Sequence, residues 1–186
     1  ACSVLGTAKA VLVQLEIPLE TVEAAIQIAN HAKVPVILDP GPARPLKREL
    51  LAQADIITPN EHEAQVLAGE KMRTLDDAPR IAAKLLSYGT EVVLLKLGGD
   101  GVIIATAEGM EHIPAHKVDV EDTTAAGDSF AGGLAVALSE GCSLRNAVLF
   151  ANAVGALAVT RLGAQAAIPT RPEAEAFMRE RGVVLG

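Results

Sequence analysis

Asp122 and Asp128 bracket two threonines, two alanines and a glycine in the run DTTAAGDSF, and an apolar stretch follows. Small residues at a helix start leave backbone N–H groups bare. The helix dipole adds positive potential there, so Ala125, Ala126 and Gly127 read as an anion hole. Gly127 permits close approach or an unusual backbone angle. A carboxylate at Asp128 would repel a bound phosphoryl group, so its placement needs a chemical reason. A general base that takes a proton from an attacking hydroxyl supplies one. An ordinary N-cap explains the same residues, since Asp and Ser are favoured there. The bare pattern leaves both readings open.

These residues need elements to hold them. AVLVQLE (Ala10–Glu16), VPVILDP (Val34–Pro40) and ADIITPN (Ala54–Asn60) read as buried strands. PLETVEAAIQIANHAK between the first two reads as a helix with Val22, Ala25, Ile26 and Ala29 on one face. A short helix is expected over Pro45–Ala52, another over EHEAQVLAG closed by Gly69, and a third over Leu75–Tyr88 stopped by Gly89. EVVLLKLGGDGVIIAT predicts two strands around a glycine turn. After Asp128, helices are expected over Ser129–Ser139, Leu144–Thr160 and Pro172–Arg179, the last with a proline in its first turn. Strand–helix alternation with short loops predicts one α/β domain over residues 1–186 with a mostly parallel sheet. Ligands of such sheets bind at the carboxyl ends of the strands. Glu16, Asp39, Asn60, Lys96–Gly101 and Asp122–Asp128 are all expected just after strands.

Composition narrows the classes. The chain has 186 residues, 50% hydrophobic but only 2% aromatic, so its core must be Ala, Val, Leu and Ile. A net charge of -7 disfavours nucleic acid, whose phosphates need clustered Lys and Arg. Cys2 and Cys142 have no metal-ligand spacing and read as reduced thiols. No apolar run is long enough for a membrane span, and no signal peptide is visible. A cytoplasmic setting is the expectation. The chain begins at Ala1 rather than Met, in what reads as mid-domain sequence, so a fragment or processed chain is expected. His31, His62, His112 and His116 have no metal or triad spacing and read as surface or loop residues.

DTTAAGDSF resembles the second signature of the ribokinase or PfkB-type sugar kinase family. ITPNEHEA resembles the family's N-x-x-E element, here Asn60 and Glu63. LLKLGGDGV resembles its nucleotide loop, here Lys96, Gly98 and Gly101. FANAVGALAVTRLGAQAAIPTR resembles the segment that lines the adenine and cation sites. The set covers nearly the whole chain. The resemblance implies a three-layer α/β/α ribokinase-like fold whose N-terminal strands and β lid are absent here.

By resemblance Asp128 is the catalytic base, and the backbone of Ala125, Ala126 and Gly127 is the anion hole. Asn60 and Glu63 would organise phosphates and hydrated Mg²⁺, which keeps its waters and is held through few carboxylates. A solvated first-turn glutamate is the alternative for Glu63. Lys96, Gly98, Gly101 and Gly127 would bind ATP, although Gly98–Gly101 also reads as a plain hairpin turn. Lys96 stands where threonine is common in ribokinases. Asn152 falls at the adenine pocket, with capping or packing as its alternative. Asp122, Thr124, Ala158, Arg161, Gly163 and Ala167 match positions that ring K⁺, mostly through carbonyls. Ala167 stands where serine is frequent, and Arg161 alone would read as a cation at a helix C-terminus. Glu16 would touch sugar hydroxyls or be a strand-end surface carboxylate. Asp39 would touch the site or merely end its strand.

The expectation is an ATP-dependent sugar kinase acting on D-ribose to give ribose 5-phosphate, with Mg²⁺ and a K⁺ activator. Fructose, a nucleoside or a sugar acid are the alternative acceptors. A truncated nucleotide-binding module, or a subunit completed by a partner, is the alternative class. A dinucleotide oxidoreductase is disfavoured, because no G-x-G-x-x-G follows the first strand. The resemblance allows a homodimer, but ribokinases pair through the lid, so with no lid here that inference lapses and the oligomeric state stays open.

Overall fold

The computed structural model describes residues 2–5 and 7–183; the side chains of Cys2 and Ser3 lie outside the described residues, as does Ala1. The described strands are β1 (Val11–Val13), β2 (Val36–Leu38), β3 (Ile56–Ile57), β4 (Val92–Lys96), β5 (Val102–Thr106) and β6 (Gly109–Ile113). They form one sheet in sequence order. β1 to β4 pair in parallel and β4 pairs antiparallel with β5. The helices are α1 (Cys2–Leu5), α2 (Leu19–His31), α3 (Arg48–Leu51), α4 (Glu61–Ala68), α5 (Ala78–Leu86), α6 (Ala126–Ser139), α7 (Leu144–Ala158) and α8 (Arg171–Glu180).

The contacts divide the chain into two compact units. The first is Ala1–Gly98 with Val102–His112; the second is Gly99–Gly101 with Ile113–Gly186. In the first unit each parallel crossover steps the same way along the sheet. Right-handed crossovers then put α2 to α5 on one face. The core follows the two-residue period of the strands: Val36, Leu38, Ile57, Val93, Leu95, Ile103 and Ala105 belong to one cluster with Val22, Ile26, Leu67, Ile81 and Leu85 of those helices. Ile37, Leu94 and Ile104, the alternate residues, are buried too, which is why these strands read as continuous apolar runs.

In the second unit α6 and α7 pack through small residues. A Cβ added at Gly133 would come 3.2 Å from Val154 Cβ and 3.3 Å from Ala151 Cα. Glycine there lets the helices meet without displacing these neighbours by a few tenths of an ångström. It also explains how a core with so few aromatics closes.

Several boundaries differ from the sequence expectation. The strands are shorter at both ends. Residues 75–88 split into a 3₁₀ turn (Leu75–Asp77) and α5, because Pro79 sits in the first turn of the α-helix. α6 starts at Ala126, three residues earlier than expected. β6 was not anticipated: four of its five residues are exposed, so GMEHI carries no apolar alternation. Residues 114–121 contain no strand, so Asp122–Asp128 does not follow one. Asn60 is a helix N-cap rather than a strand residue, although one isolated bridge still joins it to Lys96.

Candidate active site

In the first unit the carboxyl ends of β2, β3 and β4 bring four polar side chains together. Asn60 caps α4 and Glu63 answers from its first turn. Asn60 Oδ1 accepts from the Glu63 N–H at 2.9 Å, and the Asn60 N–H donates to Glu63 Oε2 at 2.7 Å. Asn60 Nδ2 donates to Glu63 Oε1 at 2.8 Å. This is a capping box with an extra side-chain bond. Glu63 is buried at 7% exposure, so it is not the solvated first-turn glutamate. Burial pushes its pKa up; the Asn60 N–H and the Lys96 charge oppose that shift, and Asp39 adds to it. The folded pKa thus lies above the unfolded one. Stability from this group is full at acid pH and declines as pH rises past its ordinary value of 4.5. A buried carboxylate kept at that cost suits a bound cation.

Lys96 ends β4 and Asp39 follows β2. Lys96 Nζ donates to Asp39 Oδ2 at 2.9 Å, with side-chain exposures of 12% and 9%. A Cβ at Gly41 would stand 3.1 Å from Glu63 Oε1 and 3.5 Å from Asp39 Oδ1. Both carboxylates therefore face the point that this glycine leaves open. The Glu63 carboxylate fits a hydrated Mg²⁺, which is held through few protein ligands, while Asp39 is taken up by Lys96. Glu16 is exposed, beside Leu15, whose N–H donates to Gly41 O at 2.9 Å. Gly98–Asp100 forms a 3₁₀ turn, and a Cβ at Gly98 or Gly99 would meet nothing within 4 Å. The glycine turn joins antiparallel strands as expected, with open space over its first two residues.

In the second unit the N-cap of α6, Ala125, lies in the left-handed region (φ 57°) and makes no side-chain cap hydrogen bond. A non-glycine residue there is strained, and such strain concentrates at functional sites. The Ala126 N–H donates to Thr123 O at 3.3 Å and the Ser129 N–H to Ala125 O at 2.9 Å. Of the three expected anion-hole residues, Ala126 thus has its amide engaged, by a long bond. Asp128 is exposed in the first turn and lines a cavity of about 280 Å³ with Ser129, Gly132, Phe150, Val154 and Ile168.

Asp122 ties the segment before α6 to the end of α7. Its Oδ1 accepts from the Thr124 N–H at 2.8 Å and its Oδ2 from the Gly163 N–H at 3.0 Å. Thr124 first, then Gly163, hold its carboxyl below the usual range. Glu121 and Asp122 N–H groups both donate to Val159 O. Asp122, Thr124 and Gly163 are thus brought together. Ala158 and Ala167 are fully buried nearby in sequence, where only a carbonyl is on offer. Among the described residues no group of three His, Cys, Asp or Glu could hold a metal ion. The Arg161 side chain pairs with Glu173 at 2.6 Å and draws that carboxyl down to about 2. Asn152 is buried and its Nδ2 donates to Pro114 O at 2.9 Å, so one donor is spent on packing.

His116 is not a plain surface residue. Its ring meets Phe177 edge-on, with centroids 5.1 Å apart, and its Nε2 is buried without a partner. Burial, then Arg181, lowers its pKa. The neutral form is favoured in the fold, so stability is full above the ordinary value of 6.5 and falls as pH drops below it. Glu63 acts in the opposite direction over the same range, so the readout is a difference: from pH 7.5 to 5 the native chain should lose stability to urea relative to His116→Gln. An equal slope in both chains would contradict it. No sequence spacing signalled this contact, which rests on the packing of 114–121 against α8.

The residues match a known family. A model of the pfkB family carbohydrate kinases matches residues 2–171. The chain belongs to this family. It is 44% identical over 167 residues to a ribokinase of Haemophilus influenzae, covering 90% of this chain and 55% of that one. A Thermotoga maritima ribokinase structure superimposes with a TM-score of 0.87 at 40% identity, over 96% of this chain and 59% of that one. The Arabidopsis thaliana ribokinase complexed with ribose and ATP gives 0.90 at 33% identity, over 96% and 58%. The fold is therefore the ribokinase-like α/β fold, with an open, mixed six-stranded sheet. The chain spans about half the length of the ribokinases it matches. Among the described residues no helix is long and apolar enough to cross a membrane.

Proposed function

We propose that this chain carries the nucleotide-binding and phosphoryl-transfer residues of an ATP-dependent sugar kinase, with D-ribose as acceptor and ribose 5-phosphate as product. The buried Asn60–Glu63 capping box, beside the Asp39–Lys96 pair at the strand ends, is the observation that carries this reading. Membership of the family and the ribose and ATP of the Arabidopsis ribokinase support the choice of substrates.

In the first unit Asn60 orients Glu63, which would hold hydrated Mg²⁺ through water. Bound magnesium neutralises charge on the β- and γ-phosphates. Lys96 offers its remaining N–H donors to phosphate, and Gly98 lets the nucleotide approach the backbone. In the second unit Asp128 accepts the proton of the sugar hydroxyl as that oxygen attacks the γ-phosphoryl. The Gly127 amide and the positive end of α6 stabilise the charge that develops. Asp122 holds the loop in which Thr124, Ala158, Arg161, Gly163 and Ala167 would offer carbonyls to K⁺. Glu16 would contact sugar hydroxyls, and Asn152 would border adenine. A cytoplasmic location completes the reading.

A coupled assay with Mg-ATP, K⁺ and a panel of ribose, fructose, deoxyribose and nucleosides tests it. Ribose should be the preferred acceptor, and replacing K⁺ by Na⁺ should lower turnover. Nucleotide binding with no turnover on any acceptor would favour a nucleotide-binding module completed by another segment or partner.

A further inference from the structure

The Asp39–Lys96 pair joins residues 57 positions apart, from strands on either side of β3. Stability alone explains it poorly. A nearly buried ion pair loses two hydration shells, and apolar replacements of similar size are often as stable. Its place is more informative. It lies at the carboxyl edge of the parallel strands, where ligands of such sheets bind. Its charges reach Glu63, and Asp39 Oδ1 and Glu63 Oε1 face one open point above Gly41.

A lysine is a flexible cation with three donors. Free, it would pay rotamer entropy each time it met a phosphate. Held by Asp39 through one N–H, it keeps its charge and its place and has two donors left. We infer that Asp39 is a positioning residue that clamps the Lys96 ammonium for the nucleotide phosphates, an inference that rests on the function proposed above. Asp39 acts through Lys96 and need not touch the nucleotide.

A double-mutant cycle on Mg-ADP affinity tests this, read by calorimetry on the full chain. Lys96→Met should weaken binding about tenfold and Asp39→Asn about as much, the order expected for losing one well-placed charge contact. The double variant should match Lys96→Met alone, because the clamp has nothing left to hold. Losses that multiply towards a hundredfold would mean that Asp39 acts independently, for example on the metal, and would overturn the inference. An Asp39→Asn chain with a lower unfolding midpoint but native affinity would show a structural role only and would also overturn it. If Asp39→Asn alone does not fold, comparing Lys96→Met with the double variant still decides. Equal affinity supports the clamp, and a further tenfold loss refutes it. A native chain that binds no Mg-ADP would bring down the proposed function itself, whereas binding with multiplying losses brings down this inference alone.

Discussion

Asp128→Asn should remove turnover on ribose by about 10² to 10⁴-fold while leaving Mg-ATP affinity within a few-fold of native. The substitution keeps the shape of the side chain and its place in the first turn of α6. In the proposed mechanism it removes the group that takes a proton from the acceptor hydroxyl. It also removes a negative charge from a place where phosphate would bind, so affinity for ATP should if anything rise. Steady-state kinetics with calorimetric titration of both chains checks this. Equal loss of turnover and affinity would assign Asp128 to nucleotide binding or to the architecture of α6. Undiminished turnover would exclude it as the base.

Gly101→Ala should destabilise the fold by about 3 kcal/mol or more, because two separate penalties coincide. Gly101 has φ +100°, which L side chains rarely adopt. Its Cβ would also stand 2.1 Å from Ile113 O, 2.7 Å from Ala115 N and 2.8 Å from Pro114 C. All three are backbone atoms and cannot simply rotate away. The chain must move at 98–101, at 113–115, or at both. For a chain of this size the melting temperature should fall by roughly 6–12 °C. The contrast with Gly99→Ala is the control. A Cβ there meets nothing within 4 Å, so stability should change little while nucleotide affinity reports on the open loop. Equal stability of Gly101→Ala and the native chain in urea would contradict the geometry.

The parts of the site that were readable in the sequence are those set by local chain geometry. Asn60 and Glu63 are three residues apart, so a capping box can join them with no help from the rest of the fold. Gly69 ends α4 in the left-handed region, as its position after an apolar-periodic run implied. The start of α6 was misjudged by three residues, because Ala125 takes a left-handed angle that alanine seldom adopts and that no propensity signals. Contacts set by topology were out of reach. In the sequence Asp39 reads equally as a site residue or a strand end, since its partner Lys96 depends on β2, β3 and β4 lying side by side. Asp122 meets Gly163 across 41 positions, a pair that the family resemblance groups together but no local geometry does. β6 escaped notice because an exposed edge strand needs no apolar alternation.

The most direct test of the central claim is a calorimetric titration of the native chain with ATP, with and without Mg²⁺. The account predicts saturable binding at one site that weakens markedly when Mg²⁺ is withdrawn, because in the proposed site Glu63 holds the hydrated cation and Lys96 meets the phosphates it accompanies. A folded chain that gives no saturable heat, or one that binds ATP equally well without Mg²⁺, would contradict it.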